Sequence, residues 1–506
     1  MERGAPLPRH VEVAIVGAGF GGLGAAISLE RAGFRDFIVL ERAGEVGGTW
    51  WFNTYPGCQC DIPSNLYSFS FAPKSDWTRA FPLQPEILDY LRDCSRRFGV
   101  RDRIRFECEL DGAAWREDDQ RWEIETSHGP LSARVLVAAP GLLSEPRTPE
   151  LPGLDRYEGT IFHSARWDHS QDLTGKRVAL VGTGASAIQA GPVIQREAER
   201  LHVFQRTPPW VVPMPDREVG EGRKRLFRRF PLAQKVHRAY LYAVREPIVI
   251  AMAFARPLLK LGETLSRVHL RRQVPDPALR RRLTPDYALG CKRLLLSNDW
   301  YPALAADNVE VLDEGVQEVH GRTVVGSDGS QREVDAIVFA TGFTPTEPPI
   351  AHALRGPDGR TLAEAWDGAP EAYLGTTVSG FPNLFLIYGP NTNLGHNSIV
   401  YMLESQFEYL VRALRAMSER GLGRIEVRRD VQRRFNESVQ RRLKKTVWNA
   451  GRCASWYLDE DGENPIMWSD FTFRFRALAR RFDLDAHHVA ARAGDAPARA
   501  AATRAG

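Results

Sequence analysis

Two glycine-rich segments constrain the fold of this chain more than any other feature of its sequence. They read Gly17-x-Gly19-x-x-Gly22 and Gly182-x-Gly184-x-x-Ala187, and each follows a short apolar run that suits a buried parallel strand. In a strand–turn–helix unit, such residues make the tight turn, admit a pyrophosphate close to the backbone and let the helix pack on the strand. The sequence therefore predicts an α/β fold with two dinucleotide-binding, Rossmann-like, three-layer domains.

The two units differ in the residue that follows their second strand. Glu41 follows the strand-like run FIVL, whereas Arg206 stands in the corresponding position of the second unit. A carboxylate accepts a hydrogen bond from a free ribose hydroxyl, and a guanidinium pairs with a 2′-phosphate. We therefore predict FAD at the first site and NADPH at the second. A tight turn without a ligand and a solvated surface arginine are the respective alternatives.

Composition narrows the class of protein further. The 506 residues suffice for two or three domains, and a net charge of +4 does not suggest a nucleic-acid-binding protein. The N-terminus has no apolar signal core and the chain has no apolar run of membrane-spanning length, so we expect a cytoplasmic protein. The six cysteines include no C-x-x-C pair and no metal-site spacing, and we expect all six to be free thiols.

The small net charge conceals an uneven distribution. Residues 217–282 contain 17 Lys and Arg against 5 Asp and Glu, and their amphipathic runs predict a basic helical insertion. We expect a solvated helical face there, and contact with an acidic membrane surface is the weaker alternative. The predicted organisation is an FAD-binding domain over 1–145 and 334–484, an NADPH-binding domain over 146–216 and 283–333, and a disordered tail over 485–506.

Two longer motifs carry a family resemblance. One comprises Tyr157, Gly159, His163, Trp167 and Asp168, and the other runs from the Gly47–Gly48 pair through Trp50, Tyr55, Pro56 and Gly57 to Asp61. With this spacing, the chain resembles the type I Baeyer–Villiger monooxygenases from about residue 10 to residue 480. Tyr157 stands where that family usually has Phe. In this family the first motif lies on the interdomain linker, so His163 is not expected to be a catalytic base.

The resemblance implies a reaction. NADPH reduces FAD, a flavin peroxide forms with O2, and one oxygen atom is inserted next to a ketone carbonyl to give an ester or lactone. Oxygenation of sulfides or amines by the same chemistry is the closest alternative. A flavin disulfide reductase is disfavoured because C-x-x-C is missing, and a redox-sensing binding protein would leave both motifs without a purpose.

The resemblance also implies site residues. Arg293 is expected to stabilise the anionic peroxide, because a guanidinium stays protonated, and Asp61 is expected to orient it. Predicted FAD contacts are Gly17, Gly19, Gly21, Gly22, Glu41, Thr49, Trp50, Trp51, Phe52, Asp61, Tyr67 and Met402. Predicted NADPH contacts are Gln59, Cys60, Asp61, Gly182, Thr183, Gly184, Ala185, Ser186, Ala187, Ile188, Arg206, Thr207, Lys292 and Trp456.

Overall fold

A computed structural model describes residues 6–344, 346, 348–453, 455–459 and 461–493. The end of the predicted disordered tail, from residue 494, lies outside the described residues. The strands are β1 His10–Val16, β2 Phe37–Leu40, β3 Ile104–Arg105, β4 Leu110–Arg116, β5 Arg121–Thr126, β6 Leu131–Ala138, β7 Thr160–His163, β8 Arg177–Val181, β9 Arg200–Phe204, β10 Val211–Val212, β11 Leu295–Leu296, β12 Val309–Leu312, β13 Val316–His320, β14 Thr323–Gly326, β15 Gln331–Glu333, β16 Ala336–Phe339, β17 Leu354–Arg355, β18 Leu384–Leu386, β19 Leu422–Val427 and β20 His487–Ala491.

Helices connect these strands and cover the sheets. They are α1 Phe20–Ala32, α2 Thr49–Phe52, α3 Gln84–Arg97, α4 Ala185–Glu197, α5 Glu221–Arg229, α6 Pro231–Arg245, α7 Leu259–Gln273, α8 Pro277–Arg282, α9 Trp300–Leu304, α10 Ile350–Ala353, α11 Leu362–Trp366, α12 Ile399–Glu419, α13 Arg429–Leu443, α14 Val447–Ala450 and α15 Thr472–Ala479. A π-helical turn, Ile250–Phe254, lies between α6 and α7.

The first sheet has the order β17-β4-β5-β6-β1-β2-β3, and β18 also pairs with β6. Its centre is parallel, since β1 pairs with β2 and with β6 in that sense. Val13, Ala14 and Ile15 of β1 are fully buried, as expected for a central strand covered on both faces. Because α1 connects β1 to the parallel β2, this sheet has the predicted dinucleotide-binding topology.

The second sheet, β12-β9-β8-β16-β7, is parallel throughout. The unit β8–α4–β9 repeats the arrangement of β1–α1–β2, so the mixed α/β fold with two Rossmann-type sheets is confirmed.

One predicted domain boundary differs from the structure. Strand β16 belongs to this second sheet, whereas the sequence predicts that residues from 334 onward belong to the first domain. Its pairing partners β7 and β8 lie more than 150 residues earlier in the sequence, so local pattern could not reveal them.

Helices α5 to α8 and the π-helical turn occupy the basic segment, in agreement with the helical character predicted for it. Among the described helices, none combines the length and apolar composition needed to cross a bilayer.

The prediction of disorder from residue 485 is wrong for the first part of that segment. Strand β20 pairs antiparallel with β19, and His487 is buried against Tyr409. The Ala- and Arg-rich composition concealed this strand because its partner lies about 60 residues earlier.

Candidate active site

The first glycine turn is packed so tightly that only glycine fits. Gly17 has a φ of 95°, and a Cβ there would lie 2.5 Å from the carbonyl oxygen of Ala139. A Cβ on Gly22 would lie 1.8 Å from the carbonyl oxygen of Gly17. Gly19 is the N-cap of α1 and has no side chain to cap the helix, so the amides of the first turn can bind phosphate. This cradle fits the pyrophosphate of FAD.

Glu41 lies beside this turn, as its spacing predicts. Its carboxylate accepts hydrogen bonds from the amides of Ala18 at 2.6 Å and Ala43 at 2.8 Å, one on each oxygen. Burial raises the pKa of Glu41, and the two backbone hydrogen bonds oppose that rise. Each oxygen keeps a second lone pair, so the carboxylate can still accept a hydrogen bond from a ribose hydroxyl.

Aromatic side chains extend the first site. Trp50 Nε1 donates to the hydroxyl of Tyr67 at 3.1 Å, and Tyr67 packs edge-on against Phe20 with ring centroids 5.0 Å apart. The second glycine pair lies against the turn, since a Cβ on Gly19 would be 3.5 Å from Cα of Gly48. The other residues predicted for FAD lie on helices α1, α2 and α12: Gly21, Thr49, Trp51, Phe52 and Met402.

The second glycine turn is more open. A Cβ on Gly182 would lie 2.5 Å from the carbonyl oxygen of Ala340, whereas nothing lies within 4 Å of a Cβ on Gly184. Gly184 is the N-cap of α4 and, like Gly19, provides no side-chain cap. This turn and the first turn of α4 contain seven of the 14 residues predicted for NADPH: Gly182, Thr183, Gly184, Ala185, Ser186, Ala187 and Ile188.

Near the end of β9, Arg206 is close enough to Lys292 for its charge to affect that lysine. The pKa of Lys292 is lowered by burial and, next, by the charge of Arg206. The Lys292 Nζ lies 5.2 Å from the ring centroid of Tyr287. Thr183 donates to the carbonyl oxygen of Thr207 at 3.2 Å, which fixes the adjacent loop on the glycine turn. Two cations that repel each other are stabilised by an anion between them, so this pair fits the 2′-phosphate of NADPH.

Arg293 and Asp61 form a two-pronged ion pair. Arg293 Nε donates to Asp61 Oδ2 and its Nη2 donates to Oδ1, both at 2.8 Å. The charge of Asp61 raises the pKa of Arg293 against the opposing effect of burial, so the guanidinium is permanently charged. The two residues therefore meet as predicted, although 232 positions separate them.

The sequence did not reveal Arg245, the last residue of α6. Burial lowers its pKa, while the charge of Asp61 opposes that shift and the charge of Arg293 adds to it. Arg245 is therefore close enough to both members of the ion pair to feel their charges. One arginine among the 17 basic residues of 217–282 carried no distinguishing signal.

A second residue that the sequence did not reveal is Gln189 on α4. Its side chain accepts from the hydroxyl of Tyr55 at 2.9 Å and donates to the carbonyl oxygen of Gln59 at 2.9 Å. Gly57 has a φ of 79°, and a Cβ there would lie 2.6 Å from the backbone oxygen of Gln189. Gln189 thus joins the segment that carries Gln59, the buried Cys60 and Asp61 to the second dinucleotide fold.

His163 has a packing position at the end of β7. Its Nδ1 accepts from the amide of Ala165 at 3.0 Å, and its ring lies 6.1 Å from that of Phe343. Burial, with the nearby charge of Arg166, lowers the pKa of His163 to about 4. The imidazole is therefore neutral near pH 7. Trp167 packs edge-on against Phe162 at 4.7 Å.

The prediction of six free thiols is wrong for two of them. Cys291 and Cys453 form a disulfide with Cα atoms 6.2 Å apart, and Cys58, Cys60, Cys94 and Cys108 are buried thiols. The bridge joins the segment of Lys292 and Arg293 to the segment of Trp456, whose ring lies 4.4 Å from that of Tyr457. Spacing could not indicate this pair, because 162 residues separate its members.

Comparison with known proteins agrees with this geometry. Residues 14–219 match the family described as pyridine nucleotide-disulphide oxidoreductase. A Baeyer–Villiger monooxygenase of Streptomyces coelicolor is 51% identical over 95% of this chain and 93% of its own length. A Baeyer–Villiger monooxygenase of Pseudomonas aeruginosa is 48% identical over 95% of this chain and 92% of its own length.

Solved structures extend the comparison to three dimensions. An oxidised steroid monooxygenase bound to NADP has a TM-score of 0.85 at 30% identity, with 96% of this chain and all of that chain covered. A closed cyclohexanone monooxygenase has a TM-score of 0.86 at 28% identity, with the same coverage. This chain therefore belongs to the Baeyer–Villiger monooxygenases, FAD- and NADPH-dependent oxidoreductases that insert one oxygen atom of O2 next to a ketone carbonyl.

Proposed function

We propose that Arg293 and Asp61 form the catalytic centre at which this chain converts ketones into esters or lactones. The observation that carries this proposal is their two-pronged ion pair, which connects the Trp50–Asp61 segment of the first fold to the segment that also carries Lys292. FAD and NADPH would bind the two glycine cradles described above. Reduced FAD supplies the electrons that activate O2.

Arg293 has the properties that a reaction with developing negative charge requires. Its pKa is raised by Asp61, so it gives up no proton and offers a fixed positive charge to the oxygen that is transferred. Asp61 holds the guanidinium plane through two hydrogen bonds and thereby limits its orientations. Arg245 adds a second positive charge near Asp61.

NADPH binding is assigned to the second glycine turn together with Arg206 and Lys292. In this proposal Trp456, of which 40% is exposed, covers the bound nicotinamide from the segment tied to Lys292 by the disulfide. Gln59, Cys60 and Asp61 approach the same cofactor through the Gln189 hydrogen bonds. Each of these contacts is supported by its place in the fold and by the family motif.

A variant series tests the catalytic proposal. Arg293→Ala is expected to lose ketone conversion by about a hundredfold or more, because a preorganised charge at the reacting oxygen is removed. Arg293→Lys keeps the charge but loses the planar fork, and we expect partial activity. Arg433→Ala, at an exposed position of α13, is the matched control.

The readouts separate chemistry from cofactor binding. Each variant is assayed for FAD content, for anaerobic FAD reduction by NADPH, and for product from cyclohexanone and from a thioether in air. We expect Arg293→Ala to bind and reduce FAD but to form no lactone. Unchanged lactone formation would overturn the role of Arg293. Conversion of the thioether alone by the unmodified protein would instead favour sulfur oxygenation.

Cyclic ketones are the substrate class that we propose to test first. The structural relatives named above include a cyclohexanone monooxygenase and a steroid monooxygenase. The compounds in these two names, cyclohexanone and a steroid, differ widely in size. We place the enzyme in the cytoplasm, since its second site fits NADPH, a reductant regenerated inside cells. Cell fractionation with activity measured in each fraction tests that location.

A further inference from the structure

The basic insertion exposes an apolar stripe along α6. Leu232, Val236, Tyr240 and Val244 are 71%, 62%, 62% and 55% exposed. Their spacing of four residues places them on one side of the helix. Isolated exposed apolar residues are ordinary, but a continuous row of large ones marks a contact surface.

A second exposed stripe follows in the same insertion. Phe254, Leu258, Leu261 and Leu265 are each about half exposed or more, and Leu258, Leu261 and Leu265 have helical spacing at the start of α7. The Phe254 ring stacks on Phe471 at 5.8 Å. Of the 19 large apolar side chains exposed in the described part of the chain, 12 lie within residues 226–265. The exposed apolar surface is therefore concentrated in this insertion.

An open apolar groove of about 640 Å³ adjoins the first stripe, between α5 and α6. Leu226, Phe227, Val236 and Tyr240 line it together with Arg223. Apolar side chains beside cations form a surface that can take up acyl chains while its cations contact anionic headgroups. The groove gives the insertion room for such a chain.

Charge selects the occupant of this surface. Residues 217–282 carry 17 basic against 5 acidic residues, and the exposed cations include Arg225, Arg228, Arg229, Lys235 and Lys260. A second copy bound through the same face would bring two strongly positive surfaces together, which like-charge repulsion opposes. An anionic bilayer offers opposite charge and an apolar interior, so it satisfies both features at once.

We propose that this insertion docks on the surface of an anionic lipid bilayer through its two apolar stripes. The contact is peripheral, because none of the described helices is long and apolar enough to span a membrane. Helix α6 also leads from the stripe to the catalytic centre, where Arg245 lies near Asp61 and Arg293. A docked insertion would therefore place the site near the phase in which apolar ketones concentrate.

Glu246, which directly follows the last residue of α6, anchors this helix in the body of the protein. Glu246 accepts hydrogen bonds from Asn397 Nδ2 at 2.7 Å and from Thr472 Oγ1 at 2.9 Å. It is buried beside His396. Displacing a carboxylate that is buried in such a network is unfavourable, because it leaves its hydrogen-bond partners unsatisfied. Docking therefore holds the whole enzyme at the bilayer.

Vesicle co-sedimentation of the FAD-loaded protein tests this inference. The unmodified protein is expected to bind vesicles of phosphatidylcholine with about 30 mol% phosphatidylglycerol, to bind pure phosphatidylcholine much less, and to dissociate at high salt. L232Q/V236Q/V244Q replaces three of the four residues of the α6 stripe, keeps helix propensity and leaves the charge unchanged. We expect its partition onto anionic vesicles to fall about tenfold or more.

Two matched variants complete the test. I161Q/L478Q/V489Q alters exposed apolar residues outside the insertion and should bind like the unmodified protein. R225Q/R228Q/R229Q should lose binding to anionic vesicles by more than about tenfold. Absence of binding by the unmodified protein would overturn the inference. So would self-association, measured by light scattering, that L232Q/V236Q/V244Q abolishes without any vesicle binding. None of these readouts depends on ketone oxidation.

Discussion

The two dinucleotide sites share one strand–glycine–helix unit, yet they differ in what surrounds it. In the first, Gly22 packs on the turn itself, Gly48 lies against Gly19, and Glu41 is buried. In the second, Gly184 faces open space and Arg206 is exposed. The first site thus forms within the core, as suits a resident cofactor, whereas the second remains accessible, as suits a reactant that must exchange.

The largest expected effect is a loss of stability and of bound FAD when a methyl group is added to the first glycine turn. The same addition to the second turn provides the comparison. Gly22→Ala would force a Cβ within 1.8 Å of a backbone oxygen, so we expect a loss of about 3 kcal/mol or more in unfolding free energy and loss of bound FAD. Gly184→Ala meets no protein atom within 4 Å and should keep its Tm and its FAD. Its KM for NADPH should rise, because the methyl group would lie where we propose that the pyrophosphate binds.

Thermal unfolding and the ratio of FAD to protein measure both variants. The comparison between the sites would fail if Gly22→Ala kept the FAD content and Tm of the unmodified protein. It would also fail if Gly184→Ala lost FAD, since the second turn would then be as closely coupled to the core as the first.

Loss of the Cys291–Cys453 disulfide is expected to have the next largest effect. This disulfide adjoins Lys292 of the second, more open site. It closes a loop of 162 residues, and its loss is expected to lower the unfolding free energy by about 2–4 kcal/mol. Cys291→Ser, Cys453→Ser and the double variant should be destabilised to a similar extent, because either single change removes the same bond.

Thiol titration of the denatured protein provides an independent measurement. We expect four reactive thiols before reduction and six after it. Six reactive thiols without reduction would show that the disulfide is absent. Additive losses in the two serine variants would indicate that the cysteines act through packing alone.

Residues placed by local structure could be predicted from the sequence, whereas residues placed by contacts between distant segments could not. Glu41 and Arg206 were predicted because a strand, a turn and a helix are local and place the next residue at a fixed point. Arg245, Gln189 and the Cys291–Cys453 bridge required the approach of segments distant in the sequence. The ion pair of Arg293 with Asp61 was predicted only because a family motif marks Asp61 and the family's Lys-Arg pair marks Arg293.

A smaller effect is expected where the second site is predicted to recognise phosphate. Arg206→Ala removes one charge-assisted contact, which corresponds to about 1.5–3 kcal/mol or about 10–100-fold in KM for NADPH. The KM for NADH, which has no 2′-phosphate, should change little. Arg196→Ala, at an exposed position of α4, is the control. Equal losses for both coenzymes in Arg206→Ala would show that the arginine stabilises the fold and does not read the phosphate.

The smallest effect is a pH dependence that only the second site should have. Burial and Arg206 lower the pKa of Lys292, so its ammonium group loses its proton at a pH below the ordinary lysine range. The 2′-phosphate prefers the charged lysine. Affinity for NADPH is therefore complete below that lowered pKa and falls as the pH rises through it. We expect the KM for NADPH to rise a few-fold between about pH 7 and pH 10.

Two comparisons isolate the lysine in this pH profile. Lys292→Arg keeps its charge across the range and should give a flat profile for NADPH. NADH should give a flat profile with the unmodified protein, since it has no 2′-phosphate to contact Lys292. A rise that appears equally with NADH or persists in Lys292→Arg would place the titrating group elsewhere. The accessible site would then owe its preference for NADPH to Arg206 alone.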